Sequence, residues 1–180
     1  MRILVVALVF AVAIPQDRSA DSTDAALSEF AERLKAYLKL RDDLEHELEP
    51  LAPVPSSSQL QAPRKALVAA IRNARARARP GDLIPASVQE LIRQAVHADW
   101  ARRNPVDKRA ALVEVPEGPL PGINRDYPHH AAFATIPPLL LANLPRLPDN
   151  LQYRFFGRHM VVLDADAEII IDYVRNTLPR

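Results

Sequence analysis

The side chains that could do chemistry gather near the end of the chain, in YRFFGRHMVVLDADAEIIID, residues 153–172. His159 is the first candidate, because an unperturbed imidazole changes charge within the physiological pH range. With Arg154, Arg158, Asp164 and Asp166 it makes a candidate binding set, with Tyr173 and Asp172 as neighbours that a titratable group could use. In Asp164-Ala-Asp166-Ala-Glu168, oxygen donors stand at alternate positions, as in a calcium loop. Counting from Asp164, however, the sixth position is not glycine and the twelfth is Arg175 instead of glutamate, so a solvated turn is the simpler expectation. The adjacent His129 and His130 could each ligate a transition metal, but neighbouring side chains diverge on an ordinary backbone. No serine occupies a nucleophile elbow, no glycine-rich loop could cradle a phosphate, and no HExxH occurs. No catalytic residue and no cofactor is therefore assigned.

The elements that must hold these groups belong to a chain of 180 residues, the length of one domain with a core of its own. Seventeen prolines stand against four glycines, which leaves little material for a mobile catalytic loop. The start, MRILVVALVFAVAIPQDRSA, has one basic residue and then an apolar run over residues 3–14. That layout predicts a secretory signal peptide, with cleavage near Ala20 and Ala13 as the alternative site. The run is shorter than the roughly twenty residues that span a bilayer. The processed chain is accordingly expected to be soluble, periplasmic or secreted, and not an integral membrane protein. There is no cysteine, which excludes disulfides, thiolate metal sites and a cysteine nucleophile.

Charge is segregated. Residues 21–50 carry nine acids and four bases, net −5, and residues 51–110 carry eleven bases and four acids, net +7. A basic block facing an acidic one of similar size predicts pairing within the chain in preference to nucleic-acid binding.

The acidic block reads as a long first helix over residues 22–49. Leu27, Phe30, Leu34, Tyr37, Arg41, Leu44, Leu48 and Leu51 recur at steps of three and four, a heptad seam with one arginine in it. Arg41 is expected either to reach an acid across the packing or to point out of the seam. The same seam could receive an envelope protein or a second copy of the chain. A second helix, QLQAPRKALVAAIRNARARA, ends at Pro80-Gly81, and its arginines are expected to face the acids of the first. Pro85 opens a third helix through Val88, Ile92 and Val96 toward Trp100. Short connections favour antiparallel neighbours. Residues 104–150 are proline-rich and predict an extended wrap, with a short helical turn near residues 139–144.

The remaining residues, 151–180, predict a three-stranded antiparallel meander. A three-residue loop Phe156-Gly157-Arg158 places Phe155 opposite His159 and Tyr153 opposite Val161. A five-residue loop over residues 164–168 then sets Leu163 against Ile169 and His159 against Tyr173. In that register Leu151, Tyr153, Phe155, Val161, Leu163, Ile169, Ile171 and Tyr173 share an apolar face, and Arg154 and Asp172 point outward. The overall expectation is α+β: a signal peptide over 1–20, a helical region over 21–103, a wrap over 104–150 and the meander, with residues 21–180 as one domain.

With the leader, the segments LKLRDDLEHELEPL and AIRNARARARPGDL, and the ending IPPLLLANLPRLPDNLQYRFFGRHMVVLDADAEIIIDYV, the chain resembles a family of small exported bacterial proteins of unknown function. The resemblance implies a location and a shape, not a chemistry. Over about thirty residues the ending is similar to the C-terminal module of periplasmic nickel and cobalt homeostasis proteins. No ligand motif matches residue by residue, so no metal role is carried over. The residues thus support an exported, non-catalytic binding or envelope-associated interaction module. The alternatives are a metal-binding protein or hydrolase built on His159 and its neighbouring acids, or a homo-oligomer formed through the first helix.

Overall fold

The computed structural model describes residues 18–48, 57–113, 115–128 and 136–179. His129, His130, the apolar leader and the linker after the first helix lie outside the described residues.

Among the described residues five helices and four strands follow in the order α1 (Arg18–His46), α2 (Ser57–Ala74), α3 (Ala86–Arg102), α4 (Pro105–Val113), β1 (Arg125–Asp126), α5 (Pro138–Leu141), β2 (Leu151–Phe156), β3 (His159–Asp164) and β4 (Ile169–Val174). The expected α+β class holds, with antiparallel pairing throughout one sheet of order β1-β4-β3-β2. Two elements exceed the expectation: the wrap contributes α4 and the short edge strand β1. A local signal for α4 was present. Asn104 caps it by accepting the Val106 and Asp107 N–H groups at 2.9 Å each, and Pro105 takes the first helical position.

The sheet is covered on both sides. Leu151, Tyr153, Phe155, Met160, Val162, Ile169, Ile171 and Val174 pack on one face with Phe30, Leu34, Tyr37, Ile71, Val88 and Ile92 of the helices. Phe156, Val161, Leu163, Ile170 and Tyr173 form a second core on the other face, closed by Leu120, Ile123 and Tyr127 of the wrap.

The predicted register is off by one residue. Phe156 lies opposite His159, Phe155 opposite Met160 and Tyr153 opposite Val162, so the hairpin turns through Gly157 and Arg158 alone. Gly157 has φ +53° and Arg158 does not share the positive φ, the pattern of a type II′ turn. The shift sends Val161 and Leu163 to the second face and brings Met160 and Val162 to the helices. Tyr173 faces Val161, not His159. The loop between β3 and β4 is also one residue shorter than expected, since Asp164 pairs with Ile169. A bulge between Val162 and Leu163 leaves Ile171 without a partner opposite. As a result Ile171 and Asp172, though consecutive, both meet the helical layer.

The seam of α1 is used inside the chain. Phe30, Leu34 and Tyr37 are buried in the main core, with Leu44 and Leu48 packed against it and Leu27 half-buried. That correction removes the seam as a face for a partner or a second copy. The arginines of α2 are corrected too: they reach the sheet side in place of the acids of α1. Arg64 pairs with Glu168, Arg72 with Asp126, and Arg75, the residue that follows the end of α2, donates to Asn124 Oδ1 and to the Ile171 carbonyl at 3.0 Å each.

Candidate functional site

The five residues singled out in the sequence do not form one site. Arg158 and His159 stand at the start of β3, and Asp164 and Asp166 at and beyond its end. His159 and Asp164 stand at the two ends of β3, five steps apart and so roughly 17 Å at about 3.3 Å per residue.

At the His159 end the side chains fasten the C-terminal residues to the hairpin. Arg158 donates through Nε and Nη2 to the Leu178 carbonyl at 3.1 and 2.7 Å, and its own carbonyl accepts from the N–H groups of Thr177 and Leu178. His159 is half-buried, and its Nδ1 accepts the Asn176 N–H at 3.1 Å. That bond requires the neutral ring with its proton on Nε2. Burial lowers the affinity of His159 for a second proton, and the charges of Arg175 and Arg158 add to the effect. Arg154 lies on the second face of the sheet and donates to Gln152 Oε1 at 2.6 Å.

At the other end, Asp164 is corrected from a solvated loop residue to a fully buried one. Its Oδ2 accepts the Tyr37 hydroxyl at 2.6 Å, and its Oδ1 accepts the N–H groups of Asp166 and Ala167 at 3.2 and 2.9 Å. Arg41 meets the expectation that it reach an acid. Its Nη2 donates to Asp166 at 2.7 Å, and its Nε lies 3.3 Å from Asp164 Oδ2 as an ion pair without hydrogen-bond alignment. Arg75 rests over the Tyr37 ring, 5.0 Å from its centroid. Burial, then the charge and hydrogen bond of Asp164, push the Tyr37 hydroxyl well above the ordinary phenol range. These groups link α1, the end of α2 and the β3–β4 loop, and the Tyr37 hydroxyl, the Asp164 carboxylate and Arg41 Nη2 are each turned to a partner within the fold.

Asp172, expected to point outward, is the second buried carboxylate. Oδ1 accepts from the Gly81 and Tyr173 N–H groups at 2.9 and 2.8 Å, and Oδ2 accepts from Leu83 and Ile84 at 2.9 Å each. It therefore clamps the turn that delivers α3. Burial raises its proton affinity, although all four N–H groups favour the anion. Among the described residues no three His, Asp or Glu side chains converge as a metal site would need.

A surface that sequence reasoning did not single out lies at the other end of the helical layer. A cavity of about 320 Å³ is lined by Val96, Trp100, Ala110, Ala111, Leu140 and Phe155, among others, with Asp99, Arg103 and Asp107 also on its wall. Asp99 and Arg103 neutralise one another at 2.7 Å. Arg103 and Lys108 each stand 6.0 Å from the centre of the Trp100 ring. Around this cavity sit α4 and α5, which carry every strongly exposed large aliphatic side chain among the described residues: Val106 (65%), Leu112 (44%), Val113 (84%), Leu139 (78%) and Leu141 (51%). The signal in the sequence was Pro-Leu-Leu-Leu and Ala-Ala-Leu-Val on segments too short to bury all their apolar residues.

Fold and candidate surface together describe a mixed α+β chain with an apolar corner. Comparison with protein-family models, with curated proteins and with solved structures finds no match in any of the three. Among the described residues, no helix is long and apolar enough to cross a membrane.

Proposed function

We propose that the chain is an exported, non-catalytic interaction module that works at the cell envelope through its α4–α5 corner. The leader-like start supports export. The observation that carries the binding role is the concentration of exposed aliphatic side chains on two short helices bordering one cavity. Single exposed leucines are ordinary on a protein surface, whereas a local concentration marks an interaction site. The groups with catalytic potential support the same reading, because Asp164, Asp172, Arg41 and His159 are each engaged in bonds that hold elements together.

Photo-crosslinking in cells tests the role. A photoreactive residue placed at Val113 or Leu139 is expected to give crosslinked products, while the same residue at the exposed Glu32 or Lys65 gives none. Equal products at all four positions, or products at none, would overturn the assignment.

A further inference from the structure

The composition of this corner says more about what covers it. At about 100° per residue, Asp107, Ala110 and Ala111 fall on the side of α4 that lines the cavity, while Arg109, Leu112 and Val113 fall on the opposite side and Val106 on one flank. No residue of α4 is buried. Its outer face thus alternates aliphatic side chains with a cation, and Lys108 stands at the margin beside Trp100. Residues 99–113 hold four bases, Arg102, Arg103, Lys108 and Arg109, against two acids, Asp99 and Asp107. Asp99 and Arg103 cancel one another, and Asp107, which accepts from the neutral Asn104 amide, keeps its charge on the cavity side, so Arg102, Lys108 and Arg109 stand against one acid. Arg102 and Arg109 are exposed, so the outward charge is positive.

We propose that the α4–α5 corner is a peripheral docking surface for an anionic phospholipid membrane. The inference rests on the interaction-module reading and names the partner's chemistry. The centre of a protein–protein interface is depleted of charged residues, lysine among them, although arginine is common there. A convex helix that interleaves aliphatic and basic side chains at each turn suits the boundary between acyl chains and headgroups instead. There Val106, Leu112, Val113 and Leu139 enter the acyl edge, while Arg102, Lys108 and Arg109 meet lipid phosphates. Trp100 belongs at that level, since an indole is at home where one side is apolar and the other wet. Each cation near an anionic surface is worth about fivefold in partitioning, and the contribution fades within a Debye length.

The chain has one tryptophan, and it stands in this corner, which provides the readout. The whole protein is mixed with vesicles of phosphatidylcholine alone or with about one-third phosphatidylglycerol, and is followed by co-sedimentation and by quenching of Trp100 with brominated lipid. Partitioning is expected to be at least tenfold stronger on phosphatidylglycerol vesicles and to weaken as salt rises. Val113→Asp should reduce it about tenfold, Lys108→Glu combined with Arg109→Glu at least twentyfold, and Lys35→Glu on α1 should leave it unchanged. Val113 is so exposed that its replacement leaves the fold intact, which circular dichroism verifies. Absence of partitioning, or binding that ignores both lipid charge and Val113→Asp, overturns the lipid assignment. If the vesicles are silent while Val113 and Leu139 still crosslink to a protein in cells, the lipid inference fails and the module reading stands. If both experiments are silent, both fall.

Discussion

Tyr37 and Asp164, 127 positions apart in the chain, share a buried hydrogen bond of 2.6 Å that ties the longest helix to the end of β3. Arg41, one turn further along α1, closes on the same carboxylate and carries the contact out to Asp166. A buried carboxylate is tolerated only where donors replace its water, and here the Tyr37 hydroxyl and the N–H groups of Asp166 and Ala167 do so.

Breaking that arrangement has a defined signature. Tyr37→Phe is expected to lower the unfolding free energy by about 2 kcal/mol, as for a hydrogen bond to a charged group. Arg41→Met should cost about 3 kcal/mol or more, since it strands a buried charge. The double variant should lose less than the two together, because both donors act on one carboxylate. Urea unfolding provides the comparison. Strict additivity would mean that the two residues do not share Asp164 energetically.

Asp172 should be the costliest single truncation in the sheet. Asp172→Ala leaves the N–H groups of Gly81, Leu83, Ile84 and Tyr173 without their acceptor, at an expected cost of about 3–5 kcal/mol. Asp172→Asn, which retains one acceptor oxygen, should lose roughly half of that. The pH dependence has a definite sign. The folded chain binds this proton more tightly than the unfolded one. The associated stability is therefore complete below the ordinary aspartate range and is lost as pH rises through the raised folded value. Melting curves should show wild type losing ground to Asp172→Asn across that interval. A gain across it would mean that the four N–H groups outweigh burial.

His159 titrates in the opposite sense. Its folded affinity for a proton is depressed, so its contribution is present above the ordinary histidine range and is lost as pH falls through the lowered folded value. Protonation of Nδ1 removes the acceptor for Asn176. The Asn176 amide resonance, followed by NMR from pH 8 to 5, should shift with the titration of His159, and His159→Phe should abolish that shift. An Asn176 amide indifferent to pH in wild type would show that the bond does not hold the C-terminal residues.

Particular residues show where local pattern was enough. Pro85 opens α3 in sequence and in structure, because it acts through backbone geometry that needs no partner, whereas α2 ends at Ala74, ahead of the stop expected for it at Pro80-Gly81. The seam of α1 declared its buried face through spacing alone, and the one arginine in it announced a buried acid. The β3 register could not be read in the same way. Met160, Val161, Val162 and Leu163 are all apolar, so either parity yields an apolar face, and only a sheet covered on both sides reveals why. Asp172 was misplaced for a related reason, since a bulge breaks the alternation on which its outward placement depended.

The sequence by itself determined the α+β class, the order of the principal helices and strands, the buried face of α1 and the pairing of Arg41 with acids. These follow from periodicity, caps and charge, whose range is a few turns of chain. Tertiary structure alone decided which occupant fills the α1 seam, where the arginines of α2 go, that Asp164 and Asp172 are interior, and that α4 and α5 turn their aliphatic side chains outward around one cavity. Each of those depends on distant segments competing for the same surface, and no local pattern encodes which of them arrives.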